Sequence, residues 1–348
     1  MPSSRSSSMS RRSRRRIWPD GASPSLDLRK AGLALLTRAA GAIPRPRRRF
    51  IRRIDLIGWA FISPWLTGFV VFTAGPFLAS AFLSLTNWDV AGTWKIIGFR
   101  NYERMLTGED DLFVMAVKNT AFYVAFHVPG VQIIALALAM LLNQPLRGIS
   151  VYRTVFYLPA VTAGVATAYL WASILSKSGL LNSMLGWVGI EGPNWLYSFE
   201  WSLPAIIIYS LWNVGTPMLI YLAALQGVPV HLHEAAMIDG AGIWSRFRNI
   251  TVPMITPAVF FNIILGIISS FQVFTAAYII TAGGPANATL VYNLHLYRSA
   301  FEQGKMGYAS ALAWFLFLVI LTFTMIQLAM AKFWVYYEGE QTQNRGAT

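Results

Sequence analysis

Six stretches of the chain are apolar and long enough to cross a bilayer as helices: residues 56–85, 113–142, 154–176, 203–225, 255–280 and 309–334. A hydrocarbon core about 30 Å thick takes roughly 20 helical residues. None of the six contains Asp or Glu. Their two basic residues, Lys118 and Lys332, lie near an end, where a long side chain reaches the interface. The pattern predicts an all-α membrane protein with six transmembrane helices. The first stretch is too long for a signal-peptide core and counts as a true span. Prolines 64, 76, 129, 159, 204, 217 and 257 fall in or at the ends of these runs. Each removes a helix donor, and each reads as a fixed packing kink whose freed carbonyl a neighbouring helix satisfies.

Composition agrees. Only 12% of the residues are charged, about half the share of a soluble domain, and the mean hydropathy is +0.49. Cysteine is absent, which excludes disulfides and thiolate metal sites. A net charge of +13 suggests nucleic acid at first sight, but 15 of the 28 basic residues lie in residues 1–55 and the rest of the chain is nearly neutral. The charge belongs to a Ser/Arg-rich tail (residues 1–54), read as disordered and cytoplasmic, with a weak amphipathic stretch over 26–40 that anionic lipid would attract. Arg45 to Arg53, next to the first span, place the N-terminus in the cytoplasm by the positive-inside rule. Without the tail the loops are balanced, so the tail decides the orientation. Both termini are then cytoplasmic, residues 55–337 form the membrane domain, and residues 338–348 form a short cytoplasmic tail.

The segment between the fourth and fifth spans, residues 229–253, mixes charge with exposed-looking apolar groups. It contains Glu234-Ala235-Ala236, then Asp239-Gly240, then Ile250 and Pro253. It predicts a short helix with Glu234 in its first turn, a glycine break, and a second short helix ending at Pro253. Ala235 and Ala236 let another surface approach closely, and Gly240 permits a sharp turn. This spacing resembles the E-A-A loop of permease subunits of ATP-binding-cassette (ABC) importers; Val252 stands where that family usually has Leu. Gly98-Phe99-Arg100-Asn101-Tyr102 and Thr281-Ala282-Gly283-Gly284-Pro285 with Thr289 resemble the sugar and glycerol-phosphate branch, maltose-type first subunit. The likeness covers roughly residues 55–335. It implies a type I ABC importer bundle, and it makes Glu234, Ala235, Ala236, Asp239, Gly240 and Pro253 the contact with a separate ABC ATPase dimer. The implied partners also include a second, related six-span permease subunit and an extracytoplasmic solute-binding protein.

No Gly-rich loop ending in Gly-Lys-Ser/Thr occurs, so this chain does not cradle ATP. The spans also lack the carboxylates that carry protons in secondary carriers. Polar residues within spans are the candidates for a substrate route. Tyr209, Trp212, Asn213 and Thr216 in the fourth span, with Ser269 and Gln272 in the fifth, supply amides, hydroxyls and an aromatic face for a sugar. For each, an ordinary interhelical hydrogen bond is the competing reading. His231 and His233 point apart on a helix and share no metal; no cofactor is called. His127 reads as a packed neutral side chain, His295 as uninformative, and Glu109-Asp110-Asp111 as a solvated tip. The competing classes are a secondary transporter and a membrane-embedded lipid-modifying enzyme.

Overall fold

The computed structural model describes residues 53–336 except 91, 93 and 146. The tail calls, including the 26–40 helix and residues 338–348, lie outside them. Among the described residues the regular elements are all helical. The chain divides into two compact units at Val70/Val71. The described part of the first is helix α1 (Arg53–Phe69), where Trp65 stacks on Phe69 one turn on.

After the π-helical turn Val70–Ala74, the second unit contains α2 (Gly75–Ser84), α3 (Arg100–Leu106), α4 (Asp111–Leu142), α5 (Ile149–Val161), α6 (Gly164–Ile174), α7 (Leu180–Trp187), α8 (Ser202–Leu211), α9 (Gly215–Gln226), α10 (Val230–Ile238), α11 (Ile243–Arg246), α12 (Val252–Phe271), α13 (Tyr292–Tyr297) and α14 (Met306–Trp334). Four apolar helical runs are long enough to cross a membrane, and two further crossings are available if the bent pairs α5–α6 and α8–α9 each count as one span.

The 32-residue α4 is the centre of the bundle, packed by α9, α12, α8 and α13. Lipid is as apolar as Leu, so helices associate in it through close van der Waals packing, which favours small residues at contacts. Ala116, Ala135 and Ala139 of α4 are fully buried. Gly215 opens α9 against the backbone of α5, where a Cβ would lie 2.9 Å from the Phe156 carbonyl oxygen. Asn262 of α12 donates to the Pro217 carbonyl of α9 (3.2 Å), and Gln132 of α4 donates to the Asn262 carbonyl (3.2 Å). Tyr221 of α9 donates to Gln132. At one end of the bundle Leu142, Leu225, Val228 and Ile255 share a core; at the other, Ala116, Leu175, Trp195 and Leu290 do.

Three predicted spans are not continuous. The third breaks after Thr162, with a bend of 100° between α5 and α6. Thr162 and Ala163 are extended, and the Thr162 hydroxyl closes α5 by donating to the Pro159 carbonyl (2.8 Å). The fourth bends by 44° at Trp212–Val214, where Pro217 has no N–H to offer the Asn213 carbonyl. The fifth unwinds after Phe271 and resumes in a π turn, Ala277–Thr281.

Candidate functional site

The three breaks meet. Thr162, Trp212-Asn213 and Gln272 line one cavity of about 550 Å³, within the size range of small-ligand sites. Irregular backbone at membrane depth is tolerated where it lines such a cavity. All six residues proposed from the sequence, Tyr209, Trp212, Asn213, Thr216, Ser269 and Gln272, stand in its wall. Their roles differ. The Tyr209 hydroxyl bonds across to Thr167 (3.3 Å) and to the Gly164 carbonyl (3.3 Å), so it clamps α8 to α6. Ser269 donates back to Gly266 in its own helix (3.1 Å). Trp212 is half exposed (52%) and packs edge-on to Trp171 (5.8 Å), which leaves a ring face open. Asn213, Thr216 and Gln272 are exposed to the cavity.

Sequence reading missed the α4 and α6 sides of the wall: Tyr123, His127, Gln132 and Thr167. His127 stacks on Tyr123 (4.8 Å) and its Nδ1 lies 2.9 Å from the Ser270 hydroxyl. A polar residue every three to five positions on α4 was the available signal.

At one end of the bundle, α10 carries the E-A-A residues. Glu234 and Ala235 are exposed and Ala236 half-buried. Ile238 keeps 87% of its surface, and Val230, Met237, Ile243 and Trp244 are exposed too. The helix ends as expected at glycine. Gly240 has φ +79°, the Gly240 N–H bonds to the Met237 carbonyl (3.1 Å), and the Ala241 N–H bonds to Ala236 (2.8 Å). These are the paired bonds of a left-handed cap, with Asp239 as the last residue before the turn.

Two details differ from expectation. α10 begins at Val230, so Glu234 lies beyond the first turn, where the helix dipole has faded. Pro253 does not end a helix; the run from Ile243 continues to Phe271. A π turn over Phe247–Thr251 moves the Val252 N–H onto the Phe247 carbonyl, five residues back. Its wider register lets the helix proceed through a residue that has no donor.

The opposite end holds a cluster the sequence did not suggest. Asp110 is no solvated tip. One carboxylate oxygen caps α4, accepting from the N–H groups of Leu112 (3.1 Å) and Phe113 (3.2 Å). The other meets Nε2 of buried His295 in α13 (2.9 Å) and the Tyr308 hydroxyl in α14 (2.6 Å). Burial pushes Asp110 up, but the bonds from Tyr308, His295 and the backbone outweigh it and hold the group below its usual range. Burial pushes His295 down against the pull of Asp110. Around them, Arg104 lies over the Tyr308 ring (4.9 Å) and Arg298 donates to the Ala282 carbonyl (2.6 Å).

The family model for the binding-protein-dependent transport system inner membrane component matches residues 54–334. A Bacillus subtilis relative named "Probable ABC transporter permease protein YesP" is 41% identical over 86% of this chain and 98% of its own length. The lactose transport system permease protein LacF of Rhizobium radiobacter is 35% identical over 81% of this chain and 96% of its own. A chain in the crystal structure of a bacterial ABC transporter that imports the acidic polysaccharide alginate shares the fold. Its TM-score is 0.69 at 24% identity, over 80% of this chain and 96% of that one.

Proposed function

The chain belongs to the binding-protein-dependent transport system inner membrane component family, and on that premise we propose how it serves as the permease subunit of an ABC importer for sugars. It is a multi-pass inner-membrane protein. It crosses the membrane six times with both termini in the cytoplasm, each bent pair counting as one span. The 550 Å³ cavity is its share of the substrate route, with Trp212, Asn213, Thr216 and Gln272 as contacts and Tyr209 and Ser269 supporting the wall. Hydrolysis takes place on a separate ABC ATPase dimer, which grips the helix bearing Glu234, Ala235, Ala236, Asp239 and Gly240. Pro253 lies where that segment enters α12. A loaded extracytoplasmic binding protein docks on the opposite end, and a related second permease completes the route.

The observation that carries this reading is the meeting of three helix breaks at one cavity with polar groups in its wall, between an exposed apolar helix at one end and a bonded cluster at the other. α12 joins the two functional parts: its run starts at the glycine turn after α10 and ends at Gln272 in the cavity wall. A force on α10 is thereby delivered to the wall. The names of relatives such as LacF support sugar as the cargo class.

The test is ATP-driven uptake in proteoliposomes that hold the complete importer. Glu234→Lys, or Gly240→Asp, which also places a side chain at φ +79°, should abolish uptake while the subunit still reaches the membrane. Unchanged uptake in both variants would overturn the reading.

A further inference from the structure

Among the described residues, the cavity wall is built without formal charge. None of the described residues lining it is Asp, Glu, Lys or Arg, and Nδ1 of His127 is engaged by Ser270. The open polar groups are two amides, one hydroxyl and an indole N–H. An amide donates and accepts, and so does a hydroxyl.

The backbone repeats this balance. Five helix termini lie beside it: α5, α8 and α12 end next to the lining residues Thr162, Trp212 and Gln272, α6 begins at the lining residue Gly164, and α9 begins next to the lining residue Thr216. A helix terminus carries about half an elementary charge, positive at the N-end and negative at the C-end. Ends of both signs stand around the cavity, so the termini do not replace the missing cationic side chains. A phosphate or carboxylate brought here loses its hydration and meets neither guanidinium nor ammonium in exchange. A ring of hydroxyls fits instead: each donates to a carbonyl end or amide oxygen and accepts from an N–H, while the C–H face of the sugar lies on the open face of Trp212.

We propose that this chain's part of the route selects uncharged saccharides and disfavours uronates, sugar phosphates and polyol phosphates, through Trp212, Asn213, Thr216 and Gln272. The proposal rests on the assignment of the cavity as the substrate route. It excludes the glycerol-phosphate alternative that the loop motifs leave open. It also sets this chain apart from its structural neighbour, which imports an acidic polysaccharide.

The test uses the full importer in nanodiscs without its binding protein, so that only the membrane route is read. Saturation-transfer NMR at millimolar concentration compares lactose, maltose and trehalose with glycerol 3-phosphate and digalacturonate. At least one neutral disaccharide should bind at least tenfold better than either anion, and Trp212→Ala should weaken it about tenfold. Thr216→Arg, which places a guanidinium in the wall, should raise glycerol 3-phosphate binding at least tenfold. Anions binding as well as neutral sugars, or no neutral disaccharide binding to an importer that hydrolyses ATP, would overturn the proposal. An assembly with no ATP-driven uptake of any solute would count against the importer reading instead.

Discussion

Asp110 joins three helices through one carboxylate, and its partners lie 185 and 198 residues further along the chain. Its cap role is written locally, as an Asp just before an apolar helical run. Its burial is not, because nothing near residue 110 signals His295 or Tyr308. The cluster makes stability pH-dependent. The folded pKa of His295 is depressed, so on acidification the unfolded chain takes up a proton first, from about pH 6.5. Stability is therefore present above that pH and lost as pH falls below it. Asp110, also depressed, adds a loss only below about pH 4. The thermal midpoint of the purified protein should fall between pH 7.5 and 5.5, with a slope from one proton of no more than about 1.4 kcal/mol per pH unit. His295→Gln keeps a donor for Asp110 but does not titrate, and it should flatten that slope. An unchanged slope in the variant would assign the dependence to other groups.

At the scale of the helix, the prolines at 159 and 217 and the glycines at 164 and 215 were visible in the sequence. The 100° and 44° bends were not, because a hydropathy window averages across a two- or three-residue break. The polar residues of the fourth and fifth spans were legible as a set, yet their division into wall contacts and clamps depends on neighbours from other helices. Tyr209 meets Thr167 and Asn262 meets Pro217. The α8–α9 break depends on close contact at Gly215, whose added Cβ would strike backbone of α5 rather than a movable side chain. Gly215→Val should destabilise the protein by about 1–3 kcal/mol, the range for overpacking a tight contact, and should reduce uptake further than thermal denaturation explains. The exposed residues of α10 and α11 predict the opposite pattern. Ile238 and Trp244 are exposed, so Ile238→Asp and Trp244→Ala should change stability by no more than about 0.5 kcal/mol, as surface substitutions do. Co-purification with the ATPase should nevertheless fall steeply. Loss of folded protein in both variants would mean that this face is packed within the bundle.

For the whole molecule, the six-crossing reading requires that a pair bent by 100° traverse the bilayer rather than turn back. The contacts favour traversal. α5 starts beside the end of α4, where Arg153 donates to the Leu142 carbonyl (3.0 Å). The residue after α6, Leu175, belongs to the core at the far end with Ala116 and Leu290. The pair therefore travels from one end of the bundle to the other. The pair α8–α9 makes the return, with Ile206 in the far core and Leu225 in the near one. The chain has no cysteine, so a single introduced thiol reports one position without background. Thiols at Arg147 and Ser245 should react with a membrane-impermeant maleimide only from the cytosolic side, and thiols at Glu191 and Gln303 only from outside. If α5–α6 were re-entrant, Glu191 would share the side of Arg147 and every later loop would reverse. Ser245 and the neighbouring α10 would then face outward, where no nucleotide-driven subunit reaches them. The sides from which the Glu191 and Ser245 thiols are labelled thus decide the span count and the mechanism together.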